Sequence, residues 1–327
     1  MAPTVLPPTN EQLEHARATV ARYVEPTPTV VVSVRGRPVY VKLETFQVTG
    51  SFKIRGALAA VDAARSADPG GAVVTASAGN HGLGIAHASS LLGVRATVVV
   101  PENASAAKVR KLASYDIELL QHGSSFDEAQ GFAKSYAQDH SMRFISAFND
   151  SDVISGQSTM FDEMLRQVPD IEHLVVSVGG GGLISGTLIS RDAHGRSDVR
   201  VTGVQPEVSA ALYHVLRGAS MSDVVHGPTI ADGLAGGGDE GAVTNEIVAK
   251  SGVDLVLVPE VEIRHAVREV LESNGLLLEG SAAAAHAAIA NQRVGDEGSR
   301  IGFVASGRNI SHELLVELVG EGTADPS

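Results

Sequence analysis

The chain has 327 residues, 43% of them hydrophobic and 19% charged, with a formal net charge of -13 at pH 7. That length can bury a large core, as one big domain or two intertwined ones, and the negative surplus argues against nucleic acid and anionic membrane as partners. Cysteine is absent, which excludes disulfides, thiolate metal sites and cysteine nucleophiles.

The first residues carry no basic stretch followed by an apolar run, so no signal peptide is read, and no run is long enough to span a bilayer. The expectation is a cytoplasmic enzyme. Residues 4–9, rich in Pro and Thr, and the tail after Gly320 read as loosely ordered. Thr9 followed by Gln12, and Ser125 followed by Glu128, are capping-box patterns at the heads of helical runs.

Short β-branched runs predict strands at 39–42, 72–75, 96–100, 117–120, 144–146, 174–178, 201–204, 255–258 and 301–304. Segments of helical length and period separate most of them, as βαβ units require. Several strands are nearly all apolar, which suits parallel strands covered on both faces. The fold class expected is therefore α/β with largely parallel sheets. Lys108, Arg110 and Lys111 stand close together and read as the wet face of a helix.

Four segments carry chemistry. The first is Thr49-Gly50-Ser51-Phe52-Lys53-Ile54-Arg55-Gly56-Ala57, where Ser51 is placed to cap a helix and Lys53 falls in its first turn. A cation is unfavourable at that end of the helix dipole. An amine of lowered pKa, able to form a Schiff base, fits the place better. Taken alone, a solvated surface lysine is the commoner reading.

The second segment, Ser77-Ala78-Gly79-Asn80-His81-Gly82, follows a strand and precedes a helix. Its small residues leave backbone N–H groups open to an anion such as a carboxylate, and Asn80 offers both a donor and an acceptor. The third, Gly179-Gly180-Gly181-Gly182-Leu183, spends four glycines on one turn, which close approach of the backbone to a phosphate explains. No Lys-Ser/Thr follows, so it is not a Walker loop. Gly180, Gly182 and Gly186 keep a dinucleotide-binding reading open at this point. The fourth is Ala305-Ser306-Gly307-Arg308-Asn309, which sets Ser306 at the carboxyl end of the last strand, where open α/β sheets bind ligands. A plain turn explains this last segment equally well. Together the four can face one crevice and supply an amine, a carboxylate cradle, a phosphate cradle and a ring-edge hydroxyl. That inventory suits a phosphorylated aldehyde cofactor and an amino acid.

In this order the motifs resemble those of the fold-type II pyridoxal-phosphate enzymes, nearest the threonine/serine dehydratase and serine racemase branch. The connecting segments Ile154-Ser155-Gly156-Gln157-Ser158-Thr159, Thr229-Ile230-Ala231-Asp232-Gly233-Leu234 and Glu279-Gly280-Ser281-Ala282 agree, and the likeness runs from about Glu25 to Asn309. The resemblance implies two open, mostly parallel α/β domains of the tryptophan synthase β kind. The smaller, at 72–148, would be inserted in a larger one made of 1–71 and 149–327. It implies a homodimer, with pyridoxal 5'-phosphate as cofactor and an amino acid as substrate.

By the same resemblance Lys53 would hold the cofactor as a Schiff base and take the Cα proton, and Phe52 would pack on the pyridine ring. Asn80 would bond the ring oxygen. Ser77, Gly79, Asn80 and His81 would cradle the substrate carboxylate. Gly179, Gly180, Gly181, Gly182 and Leu183 would hold the phosphate, and Ser306 would face the ring nitrogen. The reaction implied is α,β-elimination of a β-hydroxy amino acid such as threonine or serine to a 2-oxo acid and ammonia. β-replacement, or loss of another β-leaving group, is the alternative.

Three departures matter. Ala78 stands where racemases of the family carry a serine, so racemisation lacks its second proton carrier. Gln205 and Ala211 stand where metal-binding members carry acids, with Glu207 nearby, so no metal is expected. Arg308 replaces a glycine, and either reads an extra acid group on the substrate or points to solvent. The family's regulatory C-terminal domain is not expected, because the chain stops soon after Asn309.

Overall fold

A computed structural model of the chain describes residues 4–236, 238–295 and 298–321. In chain order the elements begin with α1 (Asn10–Tyr23), β1 (Thr29–Val34), β2 (Arg37–Lys42), α2 (Lys53–Ala67), β3 (Ala72–Ala76), α3 (Asn80–Leu92) and β4 (Arg95–Val100). Then come α4 (Ala106–Leu112), β5 (Glu118–Gln121), α5 (Phe126–Asp139), β6 (Arg143–Phe144), α6 (Ser151–Gln167), β7 (His173–Ser177) and α7 (Gly182–Ala193). The remainder is β8 (Arg200–Pro206), α8 (Ala211–Val215), α9 (Val243–Ser251), β9 (Asp254–Val258), α10 (Glu260–Asn274), α11 (Gly280–Ala290), β10 (Ile301–Val304) and α12 (His312–Gly320). They group into two compact units, residues 1–25 with 47–160, and residues 26–46 with 161–327.

The first unit holds a four-stranded, wholly parallel sheet in the order β5-β4-β3-β6. Side chains alternate across it with the period of two that a pleated strand imposes. Val73, Ala96 and Val98 meet α2 and α3 on one face, through Ile54, Leu58, Ile85 and Leu83. Val74, Ala76 and Val99 meet Ala129, Ala133 and Ala137 of α5 on the other. With both faces covered, the strands read as continuous apolar runs, as expected.

The small domain expected from sequence, 72–148, is drawn around this sheet alone. The unit grouped by contact is wider, because α2 packs on α3 and α1 packs on α2, so Val20, Val24, Ile54 and Val61 share one core with Val73, Ile85 and Ile145.

The second unit holds a six-stranded sheet, β1-β2-β10-β7-β8-β9, parallel throughout except for β1 against β2. Strand β1 is absent from the strands predicted by sequence. Its turn to β2 is Arg35-Gly36, both at positive φ (49° and 82°), the two-residue hairpin geometry that matches strand twist. Helix α11, mostly alanine and buried along its whole length, lies in the core with Val175, Val204 and Phe303. A helix apolar all round belongs in such a place.

The Thr9 cap is realised as a full capping box, whereas Ser125 caps α5 but Glu128 turns to the N–H and hydroxyl of Ser124. Residues 4–9 form no regular element. The tail after Gly320 lies, beyond Glu321, outside the described residues.

Candidate active site

Within the first unit, Lys53 is the first residue of α2. The capping expectation for Ser51 is corrected. Phe52 occupies the cap position with helical backbone (φ -57°, ψ -20°), no side chain caps the helix, and the Ser51 hydroxyl is buried without a hydrogen-bond partner. Helical dihedrals at Phe52 carry the turn one residue past the extended conformation that a serine cap needs. Lys53 is half-buried, its Nζ donates to the Ala147 carbonyl at 2.9 Å, and it sits 5.2 Å from the centre of the Phe52 ring. The amine is thus held at the head of α2 by a carbonyl and an aromatic face.

Strand β3 runs out at Ala76, and the chain turns through Ser77 and Gly79 into α3, whose first two residues are Asn80 and His81. The Gly79 N–H donates to Ser77 Oγ at 3.1 Å, which fixes the turn. The N–H groups of the first helical turn have no intrahelical acceptor and point out of the helix end, where a carboxylate can be received. His81 is 3% exposed and its Nε2 lies 3.4 Å from the Ile145 carbonyl. Burial, and then the positive charge of Lys53, push its pKa down to about 3, while the Ile145 carbonyl works the other way. The imidazole beside this loop is neutral.

In the second unit, β7 ends at Ser177 and the glycine run leads into α7, capped by Gly181 at φ +88°. A Cβ on Gly181 would lie 2.9 Å from the Thr244 Cβ, and the Thr244 hydroxyl donates to the Gly180 carbonyl at 2.7 Å. Thr244, on α9, therefore shapes the turn that presents the N–H groups of Gly182 and Leu183 at the start of α7. Such an end is an anion seat.

At the end of β10, Ser306 is buried. The segment after it is pinned by Glu279. The Asn309 N–H donates to Glu279 Oε2 at 2.8 Å, the Glu279 N–H donates to the Gly307 carbonyl at 3.0 Å, and a Cβ on Gly307 would fall 2.5 Å from Oε1. Arg308 is exposed and its guanidinium donates to the Thr45 carbonyl. Gln205 is buried with its Oε1 accepting the Tyr213 N–H at 2.7 Å, Ala211 opens α8, and Glu207 is exposed.

The structure thus gathers Phe52, Lys53, Ser77, Gly79, Asn80 and His81 in one unit, and Gly179 to Leu183 with Ser306 in the other. Sequence reasoning missed Thr244 and the pinning role of Glu279. No local pattern marks Thr244. Glu279 had a signal, since a carboxylate directly before an alanine-rich, buried helix needs partners of its own.

The family model for pyridoxal-phosphate dependent enzymes matches residues 20–307. An L-threonine ammonia-lyase from Thermotoga maritima is 35% identical over 318 residues, 96% of this chain and 79% of that one. The structure of maize serine racemase matches with a TM-score of 0.85 at 28% identity, covering 97% of this chain and 98% of that one. The processed threonine deaminase isoform 2 from Solanum lycopersicum matches with a TM-score of 0.85 at 28% identity, over 99% and 94% of the two chains.

Proposed function

Because the chain belongs to the pyridoxal-phosphate-dependent enzyme family, we propose that it removes ammonia from a β-hydroxy amino acid to leave a 2-oxo acid, water being lost in the elimination and taken up again on hydrolysis, with threonine as the leading substrate. The observation that carries this reading is the placement of Lys53, at the head of α2, in the same unit as the Ser77 turn that opens α3.

The residues fit the cofactor. Gly181 at positive φ over Thr244 keeps the glycine turn open where any Cβ would fill it, so the N–H groups of Gly182 and Leu183 are free to take a phosphate. Lys53 supplies the amine that would hold the aldehyde, Phe52 the apolar face for the ring, and Asn80 a donor for the ring oxygen. When bound, pyridoxal phosphate supplies an electron-withdrawing ring that makes the Cα–H of an attached amino acid acidic.

The chain's own groups do the rest. The Ser77, Gly79, Asn80 and His81 turn binds the substrate carboxylate through N–H donors at the start of α3 and fixes which Cα bond faces Lys53. Freed of its proton, the Lys53 amine takes the Cα proton, and the β-hydroxyl departs with a proton as water. Hydrolysis of the remaining enamine nitrogen releases ammonia and the 2-oxo acid. Ser306 would offer the ring nitrogen a neutral hydroxyl and no counter-charge, which would suit elimination better than transamination. Ala78 has no group able to carry a proton, and that weighs against racemisation, the activity for which the maize relative is named.

The assembly we read is a homodimer in the cytoplasm. Among the described residues no helix is long and apolar enough to cross a membrane, and light scattering checks the stoichiometry.

The test is the visible spectrum of the purified protein, followed by L-threonine, L-serine and D,L-threo-3-hydroxyaspartate in turn with 2-oxo acid release as the assay. A violet-absorbing band that shifts with one of them as oxo acid appears is the expected result. Lys53→Ala should lose both band and activity. A yellow protein that releases oxo acid from none of the three moves the reaction to another β-leaving group.

A further inference from the structure

The amino ends of the strands in the first unit, the end of the sheet away from the Ser77 turn, border a cavity of about 860 Å³. Three helices finish there. The C-cap residues of α2, α3 and α5, respectively Asp68, Gly93 and His140, all line it. Each helix end brings the negative pole of its dipole. Three carboxylates add to this, those of Asp68, Asp116 and Glu118, against the single guanidinium of Arg95. The wall therefore favours cations over anions.

The acidic groups are not gathered for a metal, since no three His, Asp or Glu side chains among the described residues are placed to share an ion. Glu118 is oriented by its neighbours, accepting the Thr97 hydroxyl at 2.8 Å and the Tyr136 hydroxyl at 3.0 Å. The Tyr136 and His140 rings stack with centroids 3.9 Å apart, giving an aromatic wall on which an organic cation can rest. On the last turn of α3, Ser89 lines the same cavity, and its hydroxyl is fully buried with no hydrogen-bond partner. A buried hydroxyl left unpaired is a cost that a donor from a ligand would remove.

We propose that this cavity binds an aliphatic polyamine, an elongated organic cation whose ammonium groups answer Asp68, Asp116 and Glu118 in turn. A flexible chain of methylenes spans carboxylates that are too dispersed for a metal ion. The site lies at the far ends of α2 and α3, whose first residues are Lys53 and Asn80, so it is separate from the candidate catalytic residues.

Isothermal titration of the holoenzyme with spermidine and with putrescine tests this. Spermidine is expected to bind saturably, one per chain, and more tightly than the shorter diamine. The D116N/E118Q variant, whose new side-chain amide keeps an acceptor oxygen for Thr97 and Tyr136, should bind about tenfold more weakly, since each exposed ion pair is worth roughly a factor of two to five. Its basal activity should be unchanged, and S89A should weaken binding a few-fold. K53A should still bind spermidine, so failure of the catalytic reading and failure of this one are separable. If D116N/E118Q does not fold, D68N/D116N repeats the test on two exposed carboxylates. Absence of saturable binding, equal binding by parent and variant, or the same heat from sodium chloride at matched ionic strength would each overturn the proposal.

Discussion

Thr244 bonds to the carbonyl of Gly180 at 2.7 Å and stands 2.9 Å from the point where a Cβ on Gly181 would be. One side chain thus both fixes the glycine turn and forbids any side chain on it. Gly181→Ala meets a clash and a positive φ together, at a cost of about 2 kcal/mol or more. The expected outcome is a protein that loses pyridoxal phosphate on dialysis. Thr244→Ala should keep the fold and weaken cofactor retention by roughly tenfold, the equivalent of one hydrogen bond of about 1.4 kcal/mol. Cofactor released against time, read by absorbance, checks both.

Glu279 makes a parallel case at the end of β10. Its carboxylate takes the Asn309 N–H at 2.8 Å and lies where a Gly307 side chain would go, while its own N–H holds the Gly307 carbonyl. Glu279→Ala removes the charged acceptor of the part-buried Asn309 N–H, for a loss of about 1–3 kcal/mol, and releases the segment that carries Ser306. Glu279→Gln retains the acceptor oxygen and should restore most of both stability and the visible band. Chemical denaturation with the spectrum as second readout separates the two variants.

Much of this is legible in the sequence, for a physical reason. Glycine and small-residue turns at strand ends are local features, so Ser77 to Gly82 and Gly179 to Leu183 announce themselves. Nine of the ten strands among the described residues fall on predicted apolar runs, most of them β-branched. Strand β1 carries a β-branched run of its own over Thr29–Val34, so its strand signal is present in the sequence; only the hairpin is hidden, because its turn is Arg35-Gly36 and an arginine at positive φ is not a usual hairpin signal. Ser51 misleads because its residue type favours caps, while the conformation at Phe52 decides where a helix starts. The grouping of α1 and α2 with the four-stranded sheet, and the hold of Thr244 on the glycine turn, depend on residues far apart in the chain. No window of sequence contains them.

His81 gives a pH dependence whose sign is fixed by its burial. Its pKa falls from 6.5 to about 3 in the folded chain, with burial as the largest cause and Lys53 next. Above pH 6.5 both folded and unfolded forms are neutral there, and the residue is silent. Between 6.5 and 3 the unfolded chain takes up a proton that the folded chain refuses, so stability falls as pH falls, by up to roughly 1.4 kcal/mol per pH unit. His81→Asn should flatten that part of the curve. Denaturation midpoints across this range measure it, and an imidazole NMR signal that titrates near its ordinary value would contradict it.

The buried ion pair of the second unit supports the sheet beneath Ser306. Lys42, fully buried at the end of β2, donates to Glu163 at 2.8 Å, to the Thr27 carbonyl at 2.6 Å and to Gln167 at 3.2 Å. Its own carbonyl receives the Ala305 N–H at 3.0 Å, one residue before Ser306. Taking two charges out of water is so costly that a pair of this kind adds little net stability, yet breaking it leaves the other charge buried without this counter-charge. Lys42→Met is therefore expected to cost about 3–5 kcal/mol, whereas Lys42→Met with Glu163→Leu should return close to the parent. A double-mutant cycle by denaturant unfolding gives the coupling directly. If the single and double variants are equally unstable, the loss comes from packing around the lysine stem and not from the stranded carboxylate.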